Sequence, residues 1–396
     1  MKKGILSILI ILIILFGGCE KKTDEQTLDK DNENLAEETE LDESDNTNMI
    51  KIAVILAKTG AAAITHENMF KVMQLAEEEI NANGGILGRE IEIIEIDNQS
   101  TSIGAKNAAE TAVLSDVIAV IGCARSSNSL AAAPILQKAG IIMISPSSTN
   151  PEVTLVGDYI FRICFLDSLQ GKIMANFAIN ELNCRSAVVL TNTSYSYSMD
   201  LSEYFIKQYI ALGGEILWVG DFIENMSDFS SLLSGIKELN PDVIYLPAYV
   251  RDSGFIIRQA REMGISSVFL GGDGWGPEIF EYGLDDVNGS YLTDHWYYEL
   301  DRNNSMEFVR KFEDKFNTRP SSGSALTYDA ISILLYAIEQ AGTFDSETIR
   351  KHLAIIEDFN GITGDISFDE NGNPIKSAVI LKLENNERVF VKYIEP

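Results

Sequence analysis

The chain has 396 residues, more than one hydrophobic core usually organises, which points to two units of ordinary domain size. Hydrophobic residues make up 45% of it, enough for packed interiors, so disorder throughout is excluded. A net charge of -28 excludes nucleic acid as a partner, because that binding depends on Lys and Arg neutralising phosphates.

At the N-terminus Lys2 and Lys3 precede an apolar run from Ile5 to Phe16, then Gly17, Gly18 and Cys19. This is the layout of a secretory signal peptide over residues 1–19, and the run is shorter than the roughly 20 apolar residues of a membrane-spanning helix. The small residues before Cys19 resemble the lipobox of bacterial lipoproteins, so Cys19 is the expected site of lipid attachment. Residues 20–48 are acidic and poor in aromatics, a composition that cannot bury enough surface to fold and reads as a disordered tether.

From Met49 onward short β-branched runs alternate with amphipathic stretches of helical length, the pattern of parallel sheets covered by helices in an α/β fold. Strands are predicted at Ile50 to Ala57, Ile91 to Ile96, Val117 to Ile121 and Ile141 to Ile144. Between them lie predicted helices at Glu67 to Asn81, Ile103 to Leu114 and Leu130 to Lys138. After Phe161 the alternation restarts, with a helix at Gln170 to Leu182 and strands at Ala187 to Thr191, Ile216 to Val219, Val243 to Leu246 and Val268 to Leu270. The helices of this half are predicted at Ser202 to Leu212, Phe229 to Leu239 and Gly254 to Met263. Two more, at Met306 to Phe316 and Ala325 to Gln340, have apolar faces without a strand partner nearby in sequence and are expected to cover the first lobe.

Setting Cys19 aside, Cys123, Cys164 and Cys184 remain, an odd number that leaves at least one thiol free or paired between chains. None has zinc-ligand spacing, and His66, His295 and His352 lie far apart in sequence, so no metal and no other cofactor is expected.

Ligands of open α/β sheets bind at the carboxyl ends of strands, beside helix N-termini. After Ile118 to Ile121 comes Gly122-Cys-Ala-Arg-Ser-Ser127 and then a helix, whose unpaired N–H groups suit a carboxylate; Ser126 and Ser127 add hydroxyls, or one of them caps the helix. After Ile141 to Ile144, Pro146 fixes a turn and leaves Ser147, Ser148 and Thr149 as candidates. Asp273, flanked by Gly271, Gly272 and Gly274, sits where glycines allow close backbone approach and an acid can meet an ammonium.

The segments Asn81 to Gly88, Ile144 to Pro151, Phe161-Arg162, Asn240 to Ile244, Arg258 to Arg261, Phe269 to Gly274 and Phe368 to Gly372 resemble, in order and spacing, the leucine/isoleucine/valine-binding proteins of ABC importers. The resemblance implies the type I periplasmic binding-protein fold, two doubly wound parallel-sheet lobes joined by a multi-strand hinge. It implies lobe I from 50–166 and 296–374, and lobe II from 167–295 and 375–396. It makes Ser126 a carboxylate ligand, gives Ser147 a carbonyl contact to the ligand ammonium, places Thr149 at both ionic ends, and pairs Asp273 with the ammonium. Tyr195 and Tyr249 match aromatic positions that close over the ligand, Thr65 matches a site often held by a larger residue, and Trp275 is a candidate to fill that space. Ser100 and Arg125 occupy positions that carry a disulfide in the best-known members.

The expected function is capture of an amino acid, branched-chain first, by a monomeric lipoprotein in the periplasm or on the outer face of the cell membrane, for ABC importer permease subunits. A protein of the same fold that reports its ligand to a receptor is the alternative. No G-x-S-x-G elbow, metal motif or base beside a nucleophile is present, so no enzyme activity is expected.

Overall fold

A computed structural model describes residues 49–395; the expected signal peptide, the lipid site expected at Cys19 and the expected acidic tether lie outside the described residues. The first half runs β1 (Ile50–Leu56), α1 (Ala63–Ala82), β2 (Ile91–Asp97), α2 (Ser102–Leu114), β3 (Ala119–Gly122), α3 (Ser126–Ala139), β4 (Ile142–Ser145) and β5 (Ile160–Arg162). These strands form one all-parallel sheet in the order β2-β1-β3-β4-β5. Along β1, Ile52, Val54 and Leu56 enter one core cluster while Ala53 and Ile55 enter another. Side chains alternate across a strand, so an unbroken apolar run is what a strand covered on both faces requires.

The second half runs α4 (Asp167–Asn180), β6 (Ser186–Asn192), α5 (Ser196–Ala211), β7 (Glu215–Phe222), α6 (Ser230–Leu239), β8 (Val243–Tyr245), α7 (Val250–Glu262), β9 (Val268–Gly271), α8 (Ile279–Gly283) and β10 (Tyr291–Asp294). The chain then returns to the first lobe through α9 (Asn303–Phe316), α10 (Ser322–Ala341), α11 (Ser346–Leu353) and the small hairpin of β11 (Phe359–Gly361) and β12 (Gly364–Ile366). Helix α10 begins with a capping box of Ser321 and Ser324, ends at Gly342 with φ 62°, and buries Leu326, Ala330, Ile333 and Leu334 against the first sheet.

The second sheet departs from a purely parallel one. Its order is β14-β13-β10-β9-β8-β6-β7, and β13 (Ala378–Glu384) runs antiparallel to both β10 and β14 (Glu387–Ile394). A two-residue turn of Asn385 and Asn386, both at positive φ, joins the last two strands; Asn tolerates that conformation, and such turns match the twist of a hairpin. The expectation of two parallel-sheet lobes therefore holds with an antiparallel edge added to the second.

The chain crosses between the sheets three times, after β5, after β10 and after β12. Buried polar groups hold the connections. Arg162, fully buried, donates to the Ser148 carbonyl at 2.6 Å and to the Pro151 carbonyl and Thr154 hydroxyl at 3.3 Å. Asp329 on α10 accepts from the Ile362 and Thr363 amides at 2.7 and 3.0 Å and from the Thr363 hydroxyl, which in turn takes the Lys376 ammonium. Asp329→Ala leaves those amides and the buried Lys376 without an anion, so it is expected to lower unfolding free energy by about 3 to 5 kcal/mol in urea denaturation.

Candidate binding site

The carboxyl ends of both sheets open on one cleft, where α3, α5 and α7 begin, as do α1 and α10. Helices α3, α5 and α7 have Arg125, Tyr195 and Tyr249 as N-cap residues, none of which caps its helix with its own side chain. The usual caps are Ser, Thr, Asp or Asn. These helices instead present first-turn N–H groups toward the cleft with large cationic or aromatic side chains around them.

A cavity of about 90 Å³ lies between the lobes, lined by Thr65, Ser126, Ser147, Tyr249 and Asp273 among others. Five of the nine expected ligand residues thus share one space. Ser126 is buried and its hydroxyl accepts from the Asn150 amide at 3.3 Å; the Ser147 hydroxyl donates to the Ala124 carbonyl at 3.1 Å. The Thr65 hydroxyl donates to the Ala62 carbonyl at 2.9 Å within the first turn of α1.

Four expected residues lie beside the cavity instead of lining it. Ser127 links the lobes: its hydroxyl accepts from the Ser196 amide at 3.1 Å, serving the start of α5 from across the cleft. The Ser148 hydroxyl is spent on the Cys123 carbonyl at 3.1 Å and Ser129 at 2.7 Å, and its carbonyl on Arg162. Thr149 is fully buried, and its carbonyl accepts from the Asp167 amide. Tyr195 sits edge-on to Tyr249 at 5.0 Å, donates to Glu224 and lines a smaller neighbouring cavity.

The ring that lines the ligand cavity from α5 is Tyr197, two residues on. It stacks on Tyr249 at 5.2 Å with 19° between the planes, and its hydroxyl accepts from the Gly274 amide at 3.1 Å. Trp275 is not in the cavity. Its indole is buried in the second lobe's core, donates to Ser253 at 2.8 Å, and occupies the space that a Cβ on Gly271 would fill.

Arg125 is the main residue that the sequence reading passed over. Its guanidinium lies 3.9 Å from the centre of the Tyr249 ring, only 5% of the residue is exposed, and among the described residues its buried Nη1 has no hydrogen-bond partner. An unanswered, desolvated guanidinium beside the open end of α3 is a seat for an anion. The position is not stapled by a disulfide; Ser100 ties the first loop by donating to the Thr59 carbonyl at 2.7 Å and accepting from the Ala62 amide at 2.9 Å.

The opposite wall carries the acid. Asp273 Oδ1 accepts from Gln170 Nε2 at 2.9 Å, its Oδ2 lies 3.1 Å from His295 Nε2, and its amide donates to Gln170 Oε1 at 2.7 Å. Two neighbours thus fix the carboxylate while leaving acceptor capacity for a cation. Burial, and then the charge of Asp273, push the buried Asp167 carboxyl well above its usual range. On the first lobe, burial and then the Arg125 charge lower the His66 imidazole to about 3. Its Nδ1 accepts from the Ala57 amide at 2.9 Å, so the neutral ring carries its proton on Nε2. His66 and His295, remote in sequence, thus line one cavity, although no group of three or more His, Cys, Asp or Glu among the described residues could hold a metal ion.

All three described cysteines are buried and free, and burial pushes the Cys123 and Cys164 thiols up to about 12. Across the cleft, besides the Ser127–Ser196 link, Asn150 on the first lobe donates to Asp200 on α5.

A family model described as periplasmic binding protein matches residues 49–388. The chain belongs to the periplasmic binding protein family. Within it, the chain is 38% identical to the leucine-binding protein LivK of Thermotoga maritima, with a TM-score of 0.85, covering 88% of this chain and 99% of that one. It is 32% identical to the branched-chain amino acid transporter substrate-binding protein LivJ of Streptococcus pneumoniae, solved in complex with isoleucine, with a TM-score of 0.84 and coverage of 88% and 100%. The leucine-, isoleucine-, valine-, threonine- and alanine-binding protein of Pseudomonas aeruginosa is 29% identical over 327 residues, 82% of this chain and 87% of its own length. This periplasmic binding protein is therefore a member of the Leu/Ile/Val-binding branch, with the type I fold that its motifs implied.

Proposed function

We propose that the protein is an extracytoplasmic solute-binding lipoprotein that captures a free α-amino acid between its lobes and delivers it to the permease of an ABC importer. The observation that carries this reading is the charge layout of the cavity: an unpartnered Arg125 guanidinium and the start of α3 on the first lobe, and Asp273 held by Gln170 and His295 at the other. A zwitterion satisfies both ends at once. Branched-chain amino acids are the first candidates, because the relatives are named for them.

Closure follows from the same contacts. The first lobe holds the carboxylate, the second brings Asp273, Tyr197 and Tyr249, and the Ser127–Ser196 and Asn150–Asp200 links latch the lobes. The ligand shifts the open–closed balance only through its tighter binding to the closed form. Cys19 anchors the chain by its lipid, residues 20–48 tether the lobes to the membrane face, and the protein acts as a monomer.

A thermal-shift screen against the common amino acids tests the reading, since a ligand at 100 times its dissociation constant stabilises the native state by about 2.7 kcal/mol. At least one amino acid is expected to raise the Tm by several degrees. No shift with any of them would overturn the assignment of cargo.

A further inference from the structure

Glu278 stands where the glycine loop after β9 enters α8, and its side chain lines both the ligand cavity and an adjoining cavity of about 370 Å³ bounded by Trp296, Tyr298, Arg319 and Arg388. Gly276 makes room for it: a Cβ at that position would stand 2.3 Å from Glu278 Oε2. Burial raises its carboxyl above the usual range, against a hydrogen bond from its own backbone amide. The cation that acts on it, Arg388, is engaged by the fully buried Asp294 at 2.6 Å. As the N-cap of a helix of five residues, Glu278 makes no side-chain capping bond.

The charges of the site then do not balance for an aliphatic amino acid. Its carboxylate answers Arg125 and its ammonium answers Asp273, which leaves the half-buried Glu278 with only Arg388, already engaged by Asp294, acting on it. Enclosing an unpaired carboxylate is costly, and a ligand that brings a third, donating group removes that cost. The wall around it also mixes Thr65, Ser322 and Gly323 with Met69 and Leu326, so it is not the aliphatic lining that bare hydrocarbon favours. The adjoining cavity gives a longer side chain somewhere to go.

We propose that Glu278 reads the side chain of the bound amino acid and that the preferred cargo ends in a nitrogen donor, an ammonium, guanidinium or amide. This rests on the amino-acid reading above and puts nitrogen-bearing side chains ahead of its branched-chain candidates. Isothermal titration of the purified protein with leucine, lysine, arginine and glutamine, repeated on Glu278→Gln and Glu278→Leu, tests it. The unaltered protein is expected to bind at least one of the three nitrogen-bearing ligands about tenfold or more tighter than leucine, the difference one charge-assisted hydrogen bond makes. Glu278→Leu should erase or invert that ratio, whereas Glu278→Gln should weaken lysine and arginine more than glutamine. Leucine binding tightest to the unaltered protein, or a ranking that survives Glu278→Leu, overturns the inference while leaving the amino-acid reading in place. Binding of no amino acid at all overturns both.

Discussion

Asp273→Ala is expected to weaken amino-acid binding by at least tenfold while the protein stays folded. The carboxylate is held from two sides by Gln170 and His295, so it meets an incoming ammonium without paying to order itself. Each charge-assisted bond lost is worth about 1.5 to 3 kcal/mol, or roughly 10- to 150-fold in affinity. Asp273→Asn is the sharper variant, because it keeps an acceptor for Gln170 and removes only the charge. It also relieves the buried Asp167, whose carboxyl is raised in part by Asp273. Calorimetry on both variants, with circular dichroism as the check on folding, measures the effect; affinity unchanged in Asp273→Asn would remove this residue from the ammonium site.

The second large effect is on stability in acid. His66 is held neutral in the folded protein down to about pH 3, against 6.5 in the unfolded chain. Between those values the unfolded state binds a proton that the folded state refuses, so stability falls as the pH drops from 6.5 toward 3. The slope is about 1.4 kcal/mol per pH unit from this one ring, several kcal/mol across the window. His66→Gln retains an oxygen acceptor for the Ala57 amide and has nothing to titrate. Urea unfolding at pH 7, 5 and 4 should therefore show a shallower acid loss in His66→Gln; carboxylate contributions are common to both proteins and cancel in the comparison. Equal slopes would show that protonated His66 is tolerated in the fold.

The alternation of strands and helices was legible because each buried strand is an unbroken apolar run and each covering helix has a periodic apolar face. The helix starts were not. Hydrophobic spacing placed helices from Leu130, Ser202 and Gly254, whereas they begin at Ser126, Ser196 and Val250. The missing first turns are those facing the cleft, polar or aromatic in composition and without a standard cap. Strand-end logic still reached Ser126, Ser147 and Asp273, since those residues follow strands directly. It missed Arg125 because a cation at an N-cap opposes the helix dipole and reads as unfavourable until an anion is placed there. Tyr195 came from the resemblance, and Tyr197 follows the same strand; only the helical turn decides which ring points inward. His66, His295 and Gln170 come together through the tertiary fold, which no spacing along the chain encodes. The Asn385-Asn386 turn was a readable hairpin signal, and with it the antiparallel edge of the second sheet.

That edge governs how the molecule comes to be made. Strand β13 is an inner strand, paired on one side to β10 and on the other to β14, yet it follows every parallel strand of both sheets along the chain. Helix α10, which seals the first sheet, also arrives only after every parallel strand of the second has been synthesised. The first lobe therefore stays incomplete until α10 has been made and the second until residues 378–394 have, and removing β14 strips β13 of its outer neighbour. An affinity tag that interrupts the 378–394 hairpin would do the same damage as a truncation.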